Sequence, residues 1–183
     1  MKIIAFVGMP ASGKSEASSV VRDMGIAYIN MGDVIREEVK RRGLEPTDSN
    51  TGGVATDLRK KEGMESIAKR CVPKIRDASA DLLVVDGIRG IAEVEFFKEE
   101  FGNDFTLVSI YAPIELRFER IRSRGRSDDM SNLDDLRTRE ERELGWGMGK
   151  AIDVADIVIE NIGNLDNFKT KIRELMEKSH DRS

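Results

Sequence analysis

Residues 8–15 read GMPASGKS and directly follow the apolar run KIIAFV at residues 2–7. The spacing fits G-x-x-x-x-G-K-[ST], in which glycines let successive backbone N–H groups wrap around a phosphate. An amphipathic helical pattern follows the loop, so a helix dipole and free N–H groups are expected at the same anion site. The sequence therefore predicts a site for a nucleoside triphosphate. The alternative is a chance turn before a helix.

Each position of this loop has an expected part in nucleotide binding. The predicted nucleotide-binding residues are Gly8, Met9, Pro10, Ala11, Ser12, Gly13, Lys14 and Ser15. Lys14 is expected to neutralise the β and γ phosphates, and the Ser15 hydroxyl to bind Mg²⁺. Asp86 ends the apolar run LLVVD and is the expected second magnesium residue. A simple capping aspartate is the alternative for Asp86.

Length and composition limit the classes of protein. A chain of 183 residues suits one α/β domain. A net charge of −4 disfavours coating of nucleic acid, and the single cysteine excludes an internal disulfide. The one histidine, His180, lies in the polar stretch EKSHDRS, so a histidine base is not expected. The absence of a signal-peptide pattern or a membrane-length apolar run predicts a cytoplasmic protein without a membrane partner.

Short apolar runs recur along the chain and are separated by helical patterns. They lie at residues 2–7, 26–30, 82–86, 105–112 and 155–160. Nearly continuous apolar strands with intervening helices predict an α/β P-loop NTPase fold, with a five-stranded parallel sheet and helices on both faces. Ligands in such sheets bind at the carboxyl ends of the strands, where Gly8, Asn30, Asp86 and Asn161 are expected.

The domain organisation is expected to be a single P-loop kinase domain over residues 1–183. Its core is predicted at 1–30, 81–112 and 151–183. Two intervals are longer than one crossover helix requires. Residues 31–80, with helical patterns at 33–43 and 52–70, are predicted to form a helical acceptor-binding insert. Residues 113–150 are predicted to form a short lid.

Arginines are concentrated in PIELRFERIRSRGRSDD at residues 113–129. At helical spacing, Arg117, Arg120 and Arg124 share one stripe. Arg126 begins the following turn, and Arg137 comes eleven positions later. Convergent guanidinium groups suit the spread charge of a transferring phosphoryl group. The alternative is a solvated helix with ordinary ion pairs to nearby glutamates.

The chain resembles the nucleoside monophosphate kinases related to adenylate kinase, with matching motifs in family order from residue 2 to about residue 140. The lid-helix arginines match Arg120 and Arg124, and the R-x-D-D motif with its later arginine matches Arg126, Asp128, Asp129 and Arg137. The acceptor motif G-D-x-[LIV]-R matches Gly32, Asp33, Ile35 and Arg36. The strand-end motif D-G-[FY]-P-R is approximated by Asp86, Gly87, Ile88 and Arg89, without the proline.

This resemblance implies a donor, a metal and an acceptor. ATP and Mg²⁺ are the implied cofactors, with Arg120 over the donor adenine. The implied catalytic residues are Lys14, Asp86, Arg120, Arg124, Arg126 and Arg137, the last three as phosphate clamps. The implied partners are small-molecule nucleotides, with AMP the first expected acceptor, in a site that includes Asp33, Arg36 and Arg89. Glu93 is the expected reader of the acceptor base; a solvated helix face is its alternative.

Two other functions stay open from the sequence. Residues 155–168, ADIVIENIGNLDNF, resemble the closing strand and loop of dephospho-coenzyme A kinases, so the whole chain resembles the archaeal adenylate-kinase-related proteins. A hydroxyl acceptor of that kind needs a carboxylate base, for which Asp33 is the candidate. The other alternative is an ATP-gated binding module or switch with weak ATPase activity, although several lid arginines favour transfer.

Overall fold

Parallel strands form the centre of the molecule in a computed structural model that describes residues 1–124 and 133–180. Within that part of the chain they make a five-stranded sheet in the order β2-β3-β1-β4-β5. The strands are β1 (Lys2–Val7), β2 (Ala27–Asn30), β3 (Leu82–Asp86), β4 (Phe105–Tyr111) and β5 (Ile157–Glu160). Every pairing between neighbours is parallel. The predicted sheet is confirmed, with bounds that differ by at most two residues.

Alternate residues of each strand enter different cores, as expected of a sheet that is covered on both faces. In β1, Ile3 and Val7 belong to one buried cluster, whereas Ile4 and Phe6 belong to the other. Helices α1 (Lys14–Asp23) and α9 (Leu165–His180) cover the second cluster. The first is covered by α2 (Met31–Arg41), α3 (Asp48–Glu62), α4 (Ser66–Asp77), α5 (Ile91–Phe101) and α8 (Met148–Asp153).

The predicted insert consists of α2, α3 and α4 in the described structure. The helical pattern over residues 52–70 predicts one continuous helix, and this prediction is wrong: α3 ends at Glu62 and α4 begins at Ser66. Gly63 causes the break: its φ of +102° is a left-handed conformation that a helix interior does not allow. Thr47 caps the start of α3 by accepting a hydrogen bond from the N–H of Asn50 at 3.1 Å.

The strand register brings the functional loops to one edge of the sheet. Phe6 and Asn30 both pair with Asp86, so the loops after β1, β2 and β3 leave the sheet side by side. Helices α6 (Ile114–Arg124) and α7 (Leu133–Gly145) come from the interval predicted as the lid. Among the helices within the described ranges, none is long and apolar enough to cross a membrane.

Candidate active site

The phosphate loop, residues 8–15 between β1 and the first turn of α1, requires glycine at two positions. A Cβ at Gly8 would lie 2.5 Å from the carbonyl oxygen of Ile110. A Cβ at Gly13 would lie 2.3 Å from Nδ2 of Asn161, and the φ of Gly13 is +118°. Ala11 also has a positive φ, of 61°, which is uncommon outside glycine. The loop therefore has the close approaches and backbone strain that favour a binding function.

Helix α1 presents its amino terminus to this loop. Gly13 is the N-cap residue and has no side chain to satisfy the first turn. The first intrahelical bond is donated by the N–H of Ala17 to the carbonyl of Gly13 at 3.0 Å. The N–H groups before Ala17 have no intrahelical acceptor, and the helix dipole adds partial positive charge there. This geometry fits an anion such as a phosphate.

Lys14 lies against the loop and carries a perturbed charge. Its ammonium group donates to the carbonyl oxygen of Gly8 and, at 3.1 Å, to that of Met9. Burial and, next, the charge of Arg89 lower the pKa of Lys14 to about 8, against the opposing effect of Asp86. A cation that is poorly solvated and close to a second cation is stabilised by an anion between them.

Asp86 and Ser15 provide oxygen ligands of the kind that Mg²⁺ takes. Oδ2 of Asp86 accepts from Ser18 Oγ at 3.0 Å and from Tyr28 Oη at 3.1 Å. Oδ1 of Asp86 is buried and has no hydrogen-bond partner among the residues that the structure describes. Ser15 is exposed in the first turn of α1. The carboxylate oxygen without a partner and the exposed hydroxyl are therefore oxygen ligands of the type that a magnesium ion takes.

Arg120 contacts the phosphate loop directly. Its Nη1 lies 3.5 Å from the carbonyl oxygen of Ala11 and 3.4 Å from that of Ser12. Its Nη2 donates to the carbonyl oxygen of Asn161 at 2.7 Å. Asn161 in turn donates from Nδ2 to the carbonyl oxygen of Ser12 at 2.8 Å. The loop after β5 and the helix α6 thus hold the phosphate loop from one side.

Arg117, on the same predicted stripe, has a structural contact instead of a free guanidinium. It is buried and donates from Nε to the carbonyl oxygen of Ala112 at 2.9 Å. Its Nη1 donates to the carbonyl oxygen of Pro10 at 3.2 Å and to Glu140 of α7. Arg117 therefore fastens α6 and α7 to the phosphate loop.

Of the three predicted acceptor-site residues, Asp33 and Arg36 lie in α2, whereas Arg89 lies in the loop after β3. Arg36 is about half exposed and donates from Nε to Asp33 Oδ1 at 3.1 Å. Arg89 is partly buried and donates from Nη1 to Oε1 of Glu143 at 2.9 Å. Because Arg89 also affects the pKa of Lys14, the loop after β3 and the phosphate loop form one charged site.

Glu93 does not face a ligand, so its predicted part in reading a base is wrong. It is 1% exposed, and its Oε2 accepts from the N–H groups of Arg89 at 2.7 Å and Gly90 at 3.2 Å. Its Oε1 accepts from Arg59 at 2.9 Å in a buried ion pair. Cζ of Arg59 lies 4.5 Å from the ring centroid of Trp146. Glu93 thus caps α5 and fixes the loop that carries Arg89. The alternative prediction, that Glu93 lies on a solvated helix face, is also wrong because its side chain is buried.

The predicted clamp residues are placed differently from one another. Arg126 and the side chain of Arg124 lie outside the described residues. Arg137 is exposed, and its Nη1 lies 3.9 Å from Asp134 Oδ1 on the same helix. Its neighbour Arg139 instead donates from Nε to Glu143 at 3.3 Å and is among the charges that act on Lys14. In this structure it is therefore Arg139, and not Arg137, that pairs with the buried Glu143 of α7.

Sequence reasoning missed Arg139, Glu143 and Arg59. The signal in α7 is helical spacing: Leu136, Glu140 and Glu143 follow i, i+4, i+7 and are all buried. Two carboxylates on the buried face of a helix require cationic partners, which are Arg117 for Glu140 and Arg89 for Glu143. For Arg59, no comparable local signal is present, because its partner lies 34 positions away.

The greater part of the chain matches a known family of P-loop proteins. A family model described as AAA domain (AAA_17) matches residues 7–137, which is more than half of the chain. The matched range begins at the end of β1 and includes the phosphate loop, Asp86 and the loop with Arg89. The chain belongs to this family of P-loop proteins.

The chain also belongs to the UPF0200 proteins. It is 64% identical over 176 residues to the UPF0200 protein of Methanosarcina barkeri, covering 96% of this chain and 95% of the relative. It is 54% identical over 180 residues to a UPF0200/UPF0201 protein of Archaeoglobus fulgidus, covering 97% of this chain but only 56% of that longer protein. These names state family membership and no activity.

Solved structures share the fold at low sequence identity. TT1252 from Thermus thermophilus has a TM-score of 0.69 and 14% identity, with 97% of each chain covered. A gluconokinase from Sinorhizobium meliloti has a TM-score of 0.58 and 17% identity, with 100% of this chain and 97% of that chain covered. Shikimate kinase from Acinetobacter baumannii has a TM-score of 0.57 and 19% identity, with coverage of 97% and 94%. They confirm the α/β P-loop kinase fold.

Proposed function

We propose that this chain is an ATP-dependent kinase that transfers the γ-phosphoryl group of ATP to a small molecule. ATP would bind at loop 8–15 and the amino terminus of α1, with Arg120 beside the nucleotide. Ser15 and Asp86 would hold Mg²⁺, which neutralises charge on the phosphates when bound. Arg124, Arg126 and Arg137 remain proposed phosphate clamps of a closed state.

The observation that carries this proposal is that the loops after β1 and β3, which lead to Lys14 and Arg89, leave the sheet side by side. Each is a cation in a partly enclosed site, and the charge of Arg89 depresses the pKa of Lys14. With one cation on each of two neighbouring loops, Lys14 can contact the donor phosphates while Arg89 contacts the acceptor. A site that only bound ATP would need the lysine but has no evident use for Arg89.

The first acceptor to test is AMP, held between α2 and the loop after β3. Arg36 and Arg89 would contact its phosphate, with Asp33 at the same end of α2. The contact between Arg36 and Asp33 is on the surface and is therefore easily exchanged for a phosphate. Glu93 has no part in this proposal.

A second acceptor class is a hydroxyl, as in dephospho-coenzyme A. The buried carboxylate of Glu143 beside Arg89 favours this class, because a phosphate acceptor would meet it as a like charge. The shared fold is compatible with this class, since two of its solved members are named gluconokinase and shikimate kinase.

A coupled assay of ADP release tests the proposal. The protein would be given ATP with AMP, CMP, UMP, GMP or dephospho-coenzyme A, beside a sample without acceptor. Acceptor-dependent ADP release is the expected result. Slow ADP release that no acceptor increases would favour an ATP-gated switch and contradict the kinase proposal.

A further inference from the structure

A buried carboxylate lies in the proposed site without a complete set of partners. Glu143, near the end of α7, is 2% exposed. Its Oε1 accepts from Arg89 at 2.9 Å and from Arg139 at 3.3 Å. Its Oε2 is also buried, and within residues 1–124 and 133–180 it has no hydrogen-bond partner. Because buried polar atoms are almost always satisfied, this oxygen has the properties of a ligand contact.

The surrounding charges keep the Glu143 carboxyl group ionised. Burial alone would raise the pKa of Glu143, but Arg89, Arg139 and Lys14 together hold it below its ordinary value. The influence is mutual, since Glu143 raises the pKa of Lys14. The carboxylate is therefore within electrostatic reach of the lysine that would contact the γ-phosphate.

An ionised carboxylate at this point discriminates between acceptors. A phosphate acceptor would bring further negative charge against Glu143, and Arg89, the cation that would hold it, is already paired. A hydroxyl acceptor brings an O–H donor, which Oε2 can accept. We propose, on the basis of the proposed kinase function, that the acceptor is a hydroxyl group. Glu143 is then the catalytic residue that takes the proton of this hydroxyl.

The step balances with ATP as the only co-reactant. The acceptor oxygen forms a bond to the γ-phosphorus while the bond from that phosphorus to the β,γ-bridging oxygen breaks. The hydroxyl proton passes to Oε2 of Glu143, and ADP leaves with the electron pair of the broken bond. Glu143 then releases the proton to solvent. The products are ADP, a phosphate monoester and a proton.

The bonds to Arg89 and Arg139 suit this function. Both guanidinium groups bind Oε1, so they hold the carboxylate in place while Oε2 is left for the hydroxyl. Histidine, the commonest protein base, occurs once in the sequence, at the end of α9. Asp33, the base expected from the sequence, is exposed and bound to Arg36. Glu143 is thus the better-placed carboxylate.

The test compares two acceptor classes in matched variants. Wild type, Glu143→Gln, Glu143→Asp and Glu141→Gln would be assayed with ATP and either hydroxyl probes (dephospho-coenzyme A, shikimate, gluconate) or phosphate probes (AMP, CMP). Glu141 is exposed on the same helix and serves as the control. Phosphorus NMR of the product distinguishes a phosphate monoester from an anhydride. Glu143→Asp keeps the negative charge but retracts it, which covers the case that Glu143→Gln does not fold.

We expect monoester formation from a hydroxyl probe. Its kcat should fall about 100-fold in Glu143→Gln, with the KM for ATP changed by less than about threefold. Glu143→Asp should lose about tenfold, and Glu141→Gln nothing. If AMP is converted to an anhydride at the same rate in Glu143→Gln as in wild type, the hydroxyl assignment is overturned but the kinase proposal stands. Phosphoryl transfer to none of the probes would overturn both.

Discussion

The donor side and the acceptor side of the proposed site are built in different ways. On the donor side, a continuous stretch of eight residues, 8–15, joins β1 to α1 and supplies backbone N–H groups, a lysine and a hydroxyl. On the acceptor side, the contacts join residues that are distant in sequence: Arg89 with Glu143 and Arg59 with Glu93. The donor side thus depends on local backbone geometry, and the acceptor side on tertiary ion pairs.

The two sides differ in how readily their specificity can change. A phosphate loop tolerates little variation, because Gly8 and Gly13 leave no space for a side chain. The acceptor side is held by charged side chains on α3, α5 and α7, which lie outside residues 8–15. Members of one fold can therefore keep the donor and change the acceptor.

The largest effect is expected on the donor side. Lys14→Ala removes the counter-charge of the γ-phosphate and should lower ATP turnover about 1000-fold, or about 4 kcal/mol. The hydrogen bonds from Lys14 to the carbonyl oxygens of Gly8 and Met9 are offset by the cost of burying its charge, so the unfolding temperature should change little. ADP release and calorimetric ATP binding measure the effect. Lys178→Ala, an exposed lysine on α9, is the control, and equal turnover in the two variants would contradict the phosphate-loop assignment.

The next largest effect concerns the internal support of the acceptor side. Arg59→Gln leaves the buried Glu93 carboxylate without its cation and should lower the free energy of unfolding by about 3 kcal/mol. Urea unfolding followed by the fluorescence of Trp146, the only tryptophan, measures it. Arg76→Gln breaks a more exposed pair with Glu100 and should cost less than about 1 kcal/mol. Equal losses would show that the Arg59 pair does not support the fold.

Loss of Arg89 should separate the two sides of the site. Arg89→Ala removes the cation that pairs with Glu143 and acts on Lys14, and should lower kcat/KM for the acceptor about 30-fold, or about 2 kcal/mol. Affinity for ATP should change much less, because the loop and α1 are intact. Initial rates at varied acceptor and varied ATP give both quantities. A larger loss of ATP affinity than of acceptor kcat/KM would place Arg89 on the donor side.

The smallest effect is expected away from the reacting groups, in α2. Hydrogen bonds from Arg41 and then Arg42 lower the pKa of Glu38 from 4.5 to about 2. A folded-state pKa below the unfolded value stabilises the protein above the unfolded pKa. Glu38→Gln should therefore cost about 1 kcal/mol at neutral pH, since Arg41 is largely exposed. Thermal unfolding at several pH values should show the difference disappear between about pH 5 and pH 2. A constant difference would exclude the ion pairs as its cause.

The same contrast explains what the sequence could predict. The phosphate loop and the strands follow from local pattern, because glycine spacing and apolar runs are read within ten residues. The prediction for Asp86 follows from its position at the end of an apolar run, whereas the one for Arg89 rests on the resemblance to the nucleoside monophosphate kinases. The part played by Glu93 could not be read in this way, since its nearest partners are the backbone of Arg89 and Gly90 and the distant Arg59. Helical spacing alone also did not show that α7 turns Arg139 inward while Arg137 is exposed.

The most direct test of kinase activity follows the γ-phosphoryl group of ATP itself. Wild-type protein in excess over ATP labelled in its γ-phosphoryl group would be mixed with each acceptor probe, and the products separated after a single turnover. We expect the label to move to an organic acceptor, and Lys14→Ala to abolish the transfer. Label found only in inorganic phosphate, at a rate that no acceptor changes, would contradict it.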